Sequence, residues 1–266
     1  MHKNIPLLRR LLFQTLGLNK YLSLLRHFYI LAYRNGLLKN KPEYKWHYFV
    51  TNLLRGGDTI IDIGANLGYF SYVFCQVAGP AGKVYSVEPV EPFRKQLQKQ
   101  LRREKNNTIL DFALGEENID RIVLGIPEEY KQMGYLRHGL TSLLHGKNVE
   151  ADGRFTFASS LKKGSEAFAG LDKIDYIKCD IEGYETIVFQ EMRELIARKK
   201  PLVQVESWGE HVNTLYQLFQ ELGFRGYKLY DGKLQPMETI DKSKWGDDDT
   251  LFVPEEKKDR VAPFLG

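Results

Sequence analysis

Asp58-Thr-Ile-Ile-Asp-Ile-Gly-Ala-Asn-Leu-Gly-Tyr-Phe-Ser71 is the stretch whose reading decides the fold. Thr59–Ile63 is a short apolar run with β-branched side chains, the composition of a buried strand. Gly64 and Gly68 punctuate its end, and Asn66 to Ala78 reads as a helix. Outward from there, Gly79-Pro-Ala-Gly82 is a turn and Lys83–Glu88 a second strand. Glu91 to Arg103 reads as a second helix, and Thr108 to Ala113 as a third strand. Strand and helix in alternation predict a doubly wound parallel sheet.

Downstream, Arg121–Ile126 and Phe155–Ser159 carry strand patterning around a loop containing Gly139-Leu-Thr-Ser-Leu143. Regular alternation returns at Ile174–Asp180, a buried strand. A helix follows with Ile187, Val188, Met192, Leu195 and Ile196 on one face. Pro201–Ser207 is a strand, His211–Leu222 a helix, and Phe224–Tyr230 and Thr250–Val253 complete the sheet. No linker rich in Pro, Gly or Ser divides these parts.

The beginning of the chain has a different texture. Leu7, Leu8, Leu11, Leu12 and Leu16 recur at helical spacing, and a second helix runs from Tyr21 to about Tyr33, stopping near Asn35-Gly36. A third follows Pro42. Residues 1–50 hold nine basic residues against Glu43, a charge of +8, whereas the remainder carries −4. Arg9 and Arg10 interrupt any signal-peptide pattern, and the apolar run Phe28–Tyr33 is far short of the ~20 residues that span a bilayer. Two readings of this segment stand: a helical cap packed on the sheet or on a second copy in a homo-oligomer, and an interfacial contact with an anionic membrane through residues 1–40. The expected location is the cytoplasm, with the inner face of the membrane as the peripheral option. Cys75 and Cys179 lie in apolar segments and read as buried thiols.

The turn after the first strand carries the chemistry. Glycine allows positive φ and a close approach of backbone to ligand, and Asn66 tolerates the left-handed region. The spacing is Gly-x-x-x-Gly, with Asp62 two residues before the first glycine. A dinucleotide fingerprint would be Gly-x-Gly-x-x-Gly. The turn suits instead a cofactor that lacks phosphate and has a cationic amino-acid end, as S-adenosylmethionine does. Glu88, twenty residues after Gly68 at the end of the second strand, is placed to accept hydrogen bonds from both ribose hydroxyls. Asp111 and Ala113, at the end of the third strand, are placed toward an adenine edge. Ala65, Tyr69, Phe70, Ser71 and Pro89 flank these groups and join them as candidate cofactor-binding positions.

Four blocks together resemble one family: Asp58–Ser71, Val87-Glu-Pro89, Ile174-Asp-Tyr-Ile-Lys-Cys-Asp-Ile-Glu-Gly-Tyr-Glu185 and Pro201–Glu206. In this order the chain is similar to the FkbM-type methyltransferases over roughly residues 45–253. The resemblance implies a class I, Rossmann-like methyltransferase fold with a seven-stranded, mostly parallel sheet, one strand antiparallel near an edge. It also implies S-adenosylmethionine contacts at Asp62, Gly64, Asn66, Gly68 and Glu88, and methyl transfer mostly to oxygen on sugars, polyketides and other natural products. The division expected is a helical extension over 1–44 and a catalytic domain over 45–266. The chain departs from the family pattern at Leu161-Lys162, where the family often has Leu-Asp, so no contact is carried over there.

Open α/β sheets place ligands at the carboxyl ends of their strands. Asp180 ends one strand and Glu206 the next, with His211 soon after. Asp180 is the candidate general base or hydroxyl-orienting group, and Glu206 and His211 are candidate assistants. A Mg²⁺-like ion on Asp180 and Glu206 is the alternative arrangement. Asp180 and Glu182 also suit the first turn of a helix. Thr141 and Ser142 are candidate pocket-lining residues. Trp208 and Trp245 are readable either as a sugar-stacking wall or as core. Two other function classes compete, a nicotinamide-dependent oxidoreductase and a non-catalytic cofactor-binding protein. The glycine spacing argues against the first. Nucleic acid is not an expected partner, because the basic charge is confined to the extension.

Overall fold

A computed structural model describes residues 7–127, 142–143, 154–181, 183–245 and 249–266. Its centre is an eight-stranded sheet. The strands are β1 Thr59–Ile63, β2 Lys83–Val87, β3 Asn107–Leu110, β8 Tyr176–Cys179, β9 Leu202–Val205, β10 Phe224–Tyr230, β11 Lys233–Pro236 and β12 Thr250–Pro254. Their order is β3-β2-β1-β8-β9-β12-β10-β11. β1, β2, β3, β8 and β9 are mutually parallel, whereas β12 runs antiparallel to β9 and β10. The seven expected strands are therefore joined by an eighth. Asp231 and Gly232 both take positive φ and fold Lys233–Pro236 back on β10 as a hairpin.

All five residues of β1 are buried, as a strand covered on both faces requires. One face is covered by α2 Lys45–Leu53 and α3 Tyr69–Ala78, with Phe49, Val50, Phe74, Ile60, Tyr176 and Leu202 in the shared core. The other face packs against α6 Glu185–Glu191, α7 Arg193–Lys199 and α8 Glu210–Glu221, around Ile61, Ile177, Val203, Phe189 and Phe219. α4 Glu91–Leu101 follows β2, and the single turn α5 Gly164–Ala167 follows β7.

A second sheet, in the order β4-β7-β5-β6, is built from β4 Ala113–Gly115, β5 Ile119–Pro127, β6 Ser142–Leu143 and β7 Arg154–Lys163. The strand patterning at 121–126 and 155–159 falls inside β5 and β7. α1 Leu7–Arg34 is two helical stretches joined at Gly17 (φ 68°, ψ 168°), close to the two helices read from sequence. Phe13, Tyr21 and Leu22 of α1 meet Leu67, Val90 and Phe93 together with Ile122, Leu124 and Leu161 of the second sheet. The helix and the small sheet thus border the end of the main sheet where β1 and β2 finish. Cys75 and Cys179 are buried free thiols.

Candidate active site

The turn after β1 is held from three sides. Gly64, Asn66 and Gly68 have φ of 79°, 53° and 85°. The Gly64 and Ala65 N–H groups donate to the Val87 carbonyl at 3.1 and 2.9 Å. A Cβ on Gly64 would lie 1.9 Å from the Asp180 carbonyl oxygen, and one on Gly68 would lie 2.7 Å from Leu97 Cδ1. The sequence suggested room for a ligand. The structure shows that both glycines serve the chain's own close packing, which seats the turn on the end of β8 and on α4.

Two carboxylates flank this turn. Asp62 is buried, and its Oδ2 accepts a hydrogen bond from Ser71 Oγ at 2.5 Å. Behind it runs a relay: Asn107 Nδ2 donates to Ser86 Oγ (2.7 Å), which donates to Ser71 Oγ (2.8 Å). Asp62 Oδ1 is buried with no hydrogen-bond partner among the described residues. Burial pushes this carboxyl up to about 6, against the pull of the Lys178 ammonium and Ser71. Glu88 is also buried, with its oxygens accepting from the Asn66 and Val90 N–H groups, each at 2.8 Å. Burial raises it to about 7, opposed by those two N–H groups. A carboxylate has about four acceptor directions, so each Glu88 oxygen retains one after these bonds. An orphaned acid oxygen for an ammonium and a second acid with spare acceptors for a diol fit the amino-acid and ribose ends of S-adenosylmethionine.

Parallel register lines up the reacting end. Asp62 pairs with Lys178 and Lys178 with Gln204, so Asp180 and Glu206 follow two residues beyond that row on adjacent strands. The two carboxyl groups act on one another electrostatically, as neighbouring acids at adjacent strand ends. Lys178, 2 % exposed, donates to Asp180 Oδ2 at 3.0 Å. Burial works against the Asp180 charge, but the Lys178 ammonium, its hydrogen bond and the neighbouring Glu206 carboxyl prevail and lower the pKa. Burial and the adjacent Asp180 charge push Glu206 up to about 9. One proton therefore resides on the pair near neutral pH, on Glu206. Burial likewise opposes the charge of Lys178, yet Asp180, Asp249 and Asp62 outweigh it and raise its pKa. The ammonium lies 4.7 Å from the Phe70 ring centroid, and His47 stacks on the same ring at 3.9 Å. Burial and the Lys178 charge hold His47 neutral, down at about 3. Gln204 Nε2 donates to Asp249 Oδ1 at 2.9 Å and its Oε1 accepts from the Tyr176 hydroxyl.

The sequence profile described as the methyltransferase FkbM domain matches residues 62–227, more than half of the chain. The chain belongs to the FkbM methyltransferase family. Its fold has the strand order of that class, and solved structures resemble it at low identity. A SAM-dependent O-methyltransferase from Thermotoga maritima is 18 % identical, with 78 % of this chain and 63 % of that one covered and a TM-score of 0.43. A methyltransferase FkbM from Methylobacillus flagellatus is 17 % identical, with 91 % and 59 % covered and a TM-score of 0.49. The chain thus spans about three-fifths of the length of these two proteins. No curated protein is significantly similar to it.

In this FkbM-family chain the sequence-derived positions scatter over several roles. Ala65 and Ser71 are buried beneath the turn. Tyr69 stacks on Tyr29 of α1 at 3.7 Å, and Phe70 packs with His47 and Lys178. The Pro89 carbonyl accepts from Arg94 Nη1 at 2.8 Å. Asp111 is exposed, its carbonyl accepting from Ser159 Oγ, and Ala113 pairs with Leu161 between β4 and β7. His211 is exposed on the first turn of α8 and forms no hydrogen bond or ion pair with Asp180 or Glu206 among the described residues. The histidine beside the carboxyl pair is His47, more than 130 positions earlier. Nothing in its own helix marked it, because its relation to Asp180 is made only by folding. Lys178 carried a signal, the alternation that sets Lys178 and Asp180 on one face.

Trp245 is core: it packs on Tyr216, and its Nε1 donates to the Met237 carbonyl at 3.1 Å. Trp208 is half-buried beside Gly183. Thr141 and Glu182 lie outside the described residues, and Ser142 is placed only as backbone of β6. For the metal alternative, no group of three or more His, Cys, Asp or Glu converges among the described residues. The cation at the carboxyl pair is Lys178.

Proposed function

We propose that this chain is an S-adenosylmethionine-dependent methyltransferase acting on a hydroxyl oxygen of a sugar, glycan or other natural product. The observation that carries the reading is the placing of Asp180 and Glu206 at neighbouring strand ends, with Lys178 bonded to Asp180 and the Asp180 carbonyl against Gly64 of the glycine turn. S-adenosylmethionine, when bound, supplies an electrophilic methyl group on a sulfonium. Asp62 and its relay present a fixed negative charge to the ammonium end, and Glu88 accepts from the ribose hydroxyls. Asp180, kept ionised by Lys178, accepts the hydrogen bond of the acceptor hydroxyl, orients it, and takes its proton as the new carbon–oxygen bond forms. Glu206, protonated beside Asp180, limits charge build-up in the half-buried pair. Lys178 balances the remaining negative charge in a site of low dielectric.

Calorimetry with S-adenosylhomocysteine and with NAD is the first test, followed by mass spectrometry of methyl transfer to a panel of hydroxylated sugars and polyketide-like alcohols. Heat with the first compound, none with NAD and a mass gain of one methyl group on an alcohol are expected. A folded sample that binds NAD and ignores S-adenosylhomocysteine removes the proposal. Cofactor binding with transfer only to nitrogen or carbon nucleophiles removes its oxygen-specific half.

A further inference from the structure

α1 uses one strip to pack and leaves another open. Tyr21, Leu22 and Tyr29 are buried against the domain. On the neighbouring strip, Arg26 and Arg34 join Lys99, Arg102 and Arg103 around a cleft of about 600 Å³ between α1 and the helices α3 and α4, with Glu104 the acid in its lining. None of those five cations takes part in a salt bridge among the described residues. Arg26 forms the floor. It is 8 % exposed, its Nη1 donates to Gln100 Oε1 at 3.0 Å, and its Nε is buried with no partner among the described residues. Burial, together with the neighbouring Arg102 charge, disfavours this guanidinium and lowers its pKa. A buried cation lacking a carboxylate is costly, and an anion in the cleft relieves that cost.

The next strip around the helix is apolar and faces solvent. At about 100° per residue, Leu31 and Leu24 come next round the helix beyond His27 and Lys20, and Phe28 lies farther round, on the side away from Arg26. Phe28 is 62 % exposed and Leu31 60 %, and Leu37 follows just past the helix at 69 %. Four of the six exposed large apolar side chains in the described residues fall between positions 11 and 37. The exposed apolar surface is therefore concentrated on the segment that also carries the excess positive charge.

We propose that this face of α1 docks the protein on an anionic lipid bilayer, with headgroup phosphates in the basic cleft and Phe28, Leu31 and Leu37 in the interface. Charge complementarity selects this occupant. Residues 1–50 carry +8 and the remainder −4, so an anionic surface attracts this face and repels the rest. A soluble phosphate would fill the cleft but leave the apolar strip without a role. A single-stranded nucleic acid would call for a row of stacking rings, and the strip is aliphatic apart from Phe28. Adjacent basic and apolar strips on one helix are what an interfacial helix needs.

The test uses the full chain, sedimented with vesicles of phosphatidylcholine alone or with added phosphatidylglycerol. Binding to the anionic vesicles, reversed by high salt, and none to the neutral ones are expected. Arg102→Glu/Arg103→Glu lowers partitioning by at least about tenfold, since each basic residue near such a surface contributes about fivefold. Phe28→Ser/Leu31→Ser also lowers it, with an unchanged melting temperature because both side chains are already in solvent. Calorimetry with pyrophosphate and fluorescence anisotropy with a short single-stranded RNA distinguish the other sources of phosphate. Binding of either one that Arg102→Glu/Arg103→Glu abolishes, with no vesicle binding, overturns the proposal. Vesicle binding that neither double variant weakens overturns it as well.

Discussion

The pKa of Asp180 is held down beside Lys178 and that of Glu206 is pushed up by burial and the Asp180 charge, so the same isosteric change has unequal consequences at the two positions. Glu206→Gln replaces a protonated acid by an equally neutral amide beside Asp180, and kcat changes by less than about tenfold. Asp180→Asn removes the ionised acceptor and lowers kcat by about 10²- to 10⁴-fold with little change in S-adenosylhomocysteine affinity. Steady-state kinetics on an identified acceptor, with calorimetry alongside, check both; equal losses would contradict the assignment of the proton. The pair also marks the pH dependence of stability. Glu206 is raised from 4.5 to about 9, so the folded state holds its proton more tightly than the unfolded chain does. The resulting stabilisation is complete below about 4.5 and is lost as pH rises through about 9. Asp62 and Glu88, raised to about 6 and about 7, act in the same direction over narrower ranges. Melting temperature measured against pH for wild type and Glu206→Gln isolates the first contribution: the wild type declines more steeply on the alkaline side.

At the scale of elements, the glycines on either side of β1 separate backbone strain from steric exclusion. Gly57 has φ of 87° and open space around its missing side chain, so Gly57→Ala costs roughly 1–2 kcal/mol, the strain of a left-handed alanine. Gly64→Ala adds a collision with the Asp180 carbonyl and must either displace the end of β8 or prevent folding. Urea unfolding and soluble yield compare the two, and equal costs would refute the close packing. The elements of the main sheet were legible in sequence because each is a local pattern. The apolar run of β1, the punctuating glycines and the amphipathic α6–α8 are visible within about ten residues of chain. β11 was missed although Asp231-Gly232 between two extended runs is a hairpin signal. The second sheet was half-read: its strands are visible, but the pairing of β4 with β7 joins residues 113–115 to 161–163, which no local period specifies.

For the whole molecule, the sheet has two poles with different duties. The carboxyl ends of the strands gather Asp62, Glu88, Asp180 and Glu206. The opposite end is tied by a C-terminal segment: Arg260 grips Asp58 through two bonds of 2.7 and 3.0 Å and reaches Asp175, which also pairs with Lys257. Arg260→Met leaves the buried Asp58 carboxylate with the Arg55 N–H but without its cationic partner and destabilises the fold by about 3 kcal/mol. Denaturant unfolding should show that loss, while S-adenosylhomocysteine affinity in the folded protein stays the same; a weakened affinity would mean the poles are coupled. The alternation of strands and helices in the main sheet, the glycine turn after β1 and the acids at strand ends were determined by the sequence alone, since periodicity and glycine punctuation act between near neighbours. Only the tertiary structure decided that Phe70 lies between His47 and Lys178, that Asp180 and Glu206 stand side by side, and that α1 turns arginines to a cleft and leucines to solvent. Those outcomes depend on distance and burial in space, which residues far apart in the chain acquire only when the sheet and its covering helices assemble.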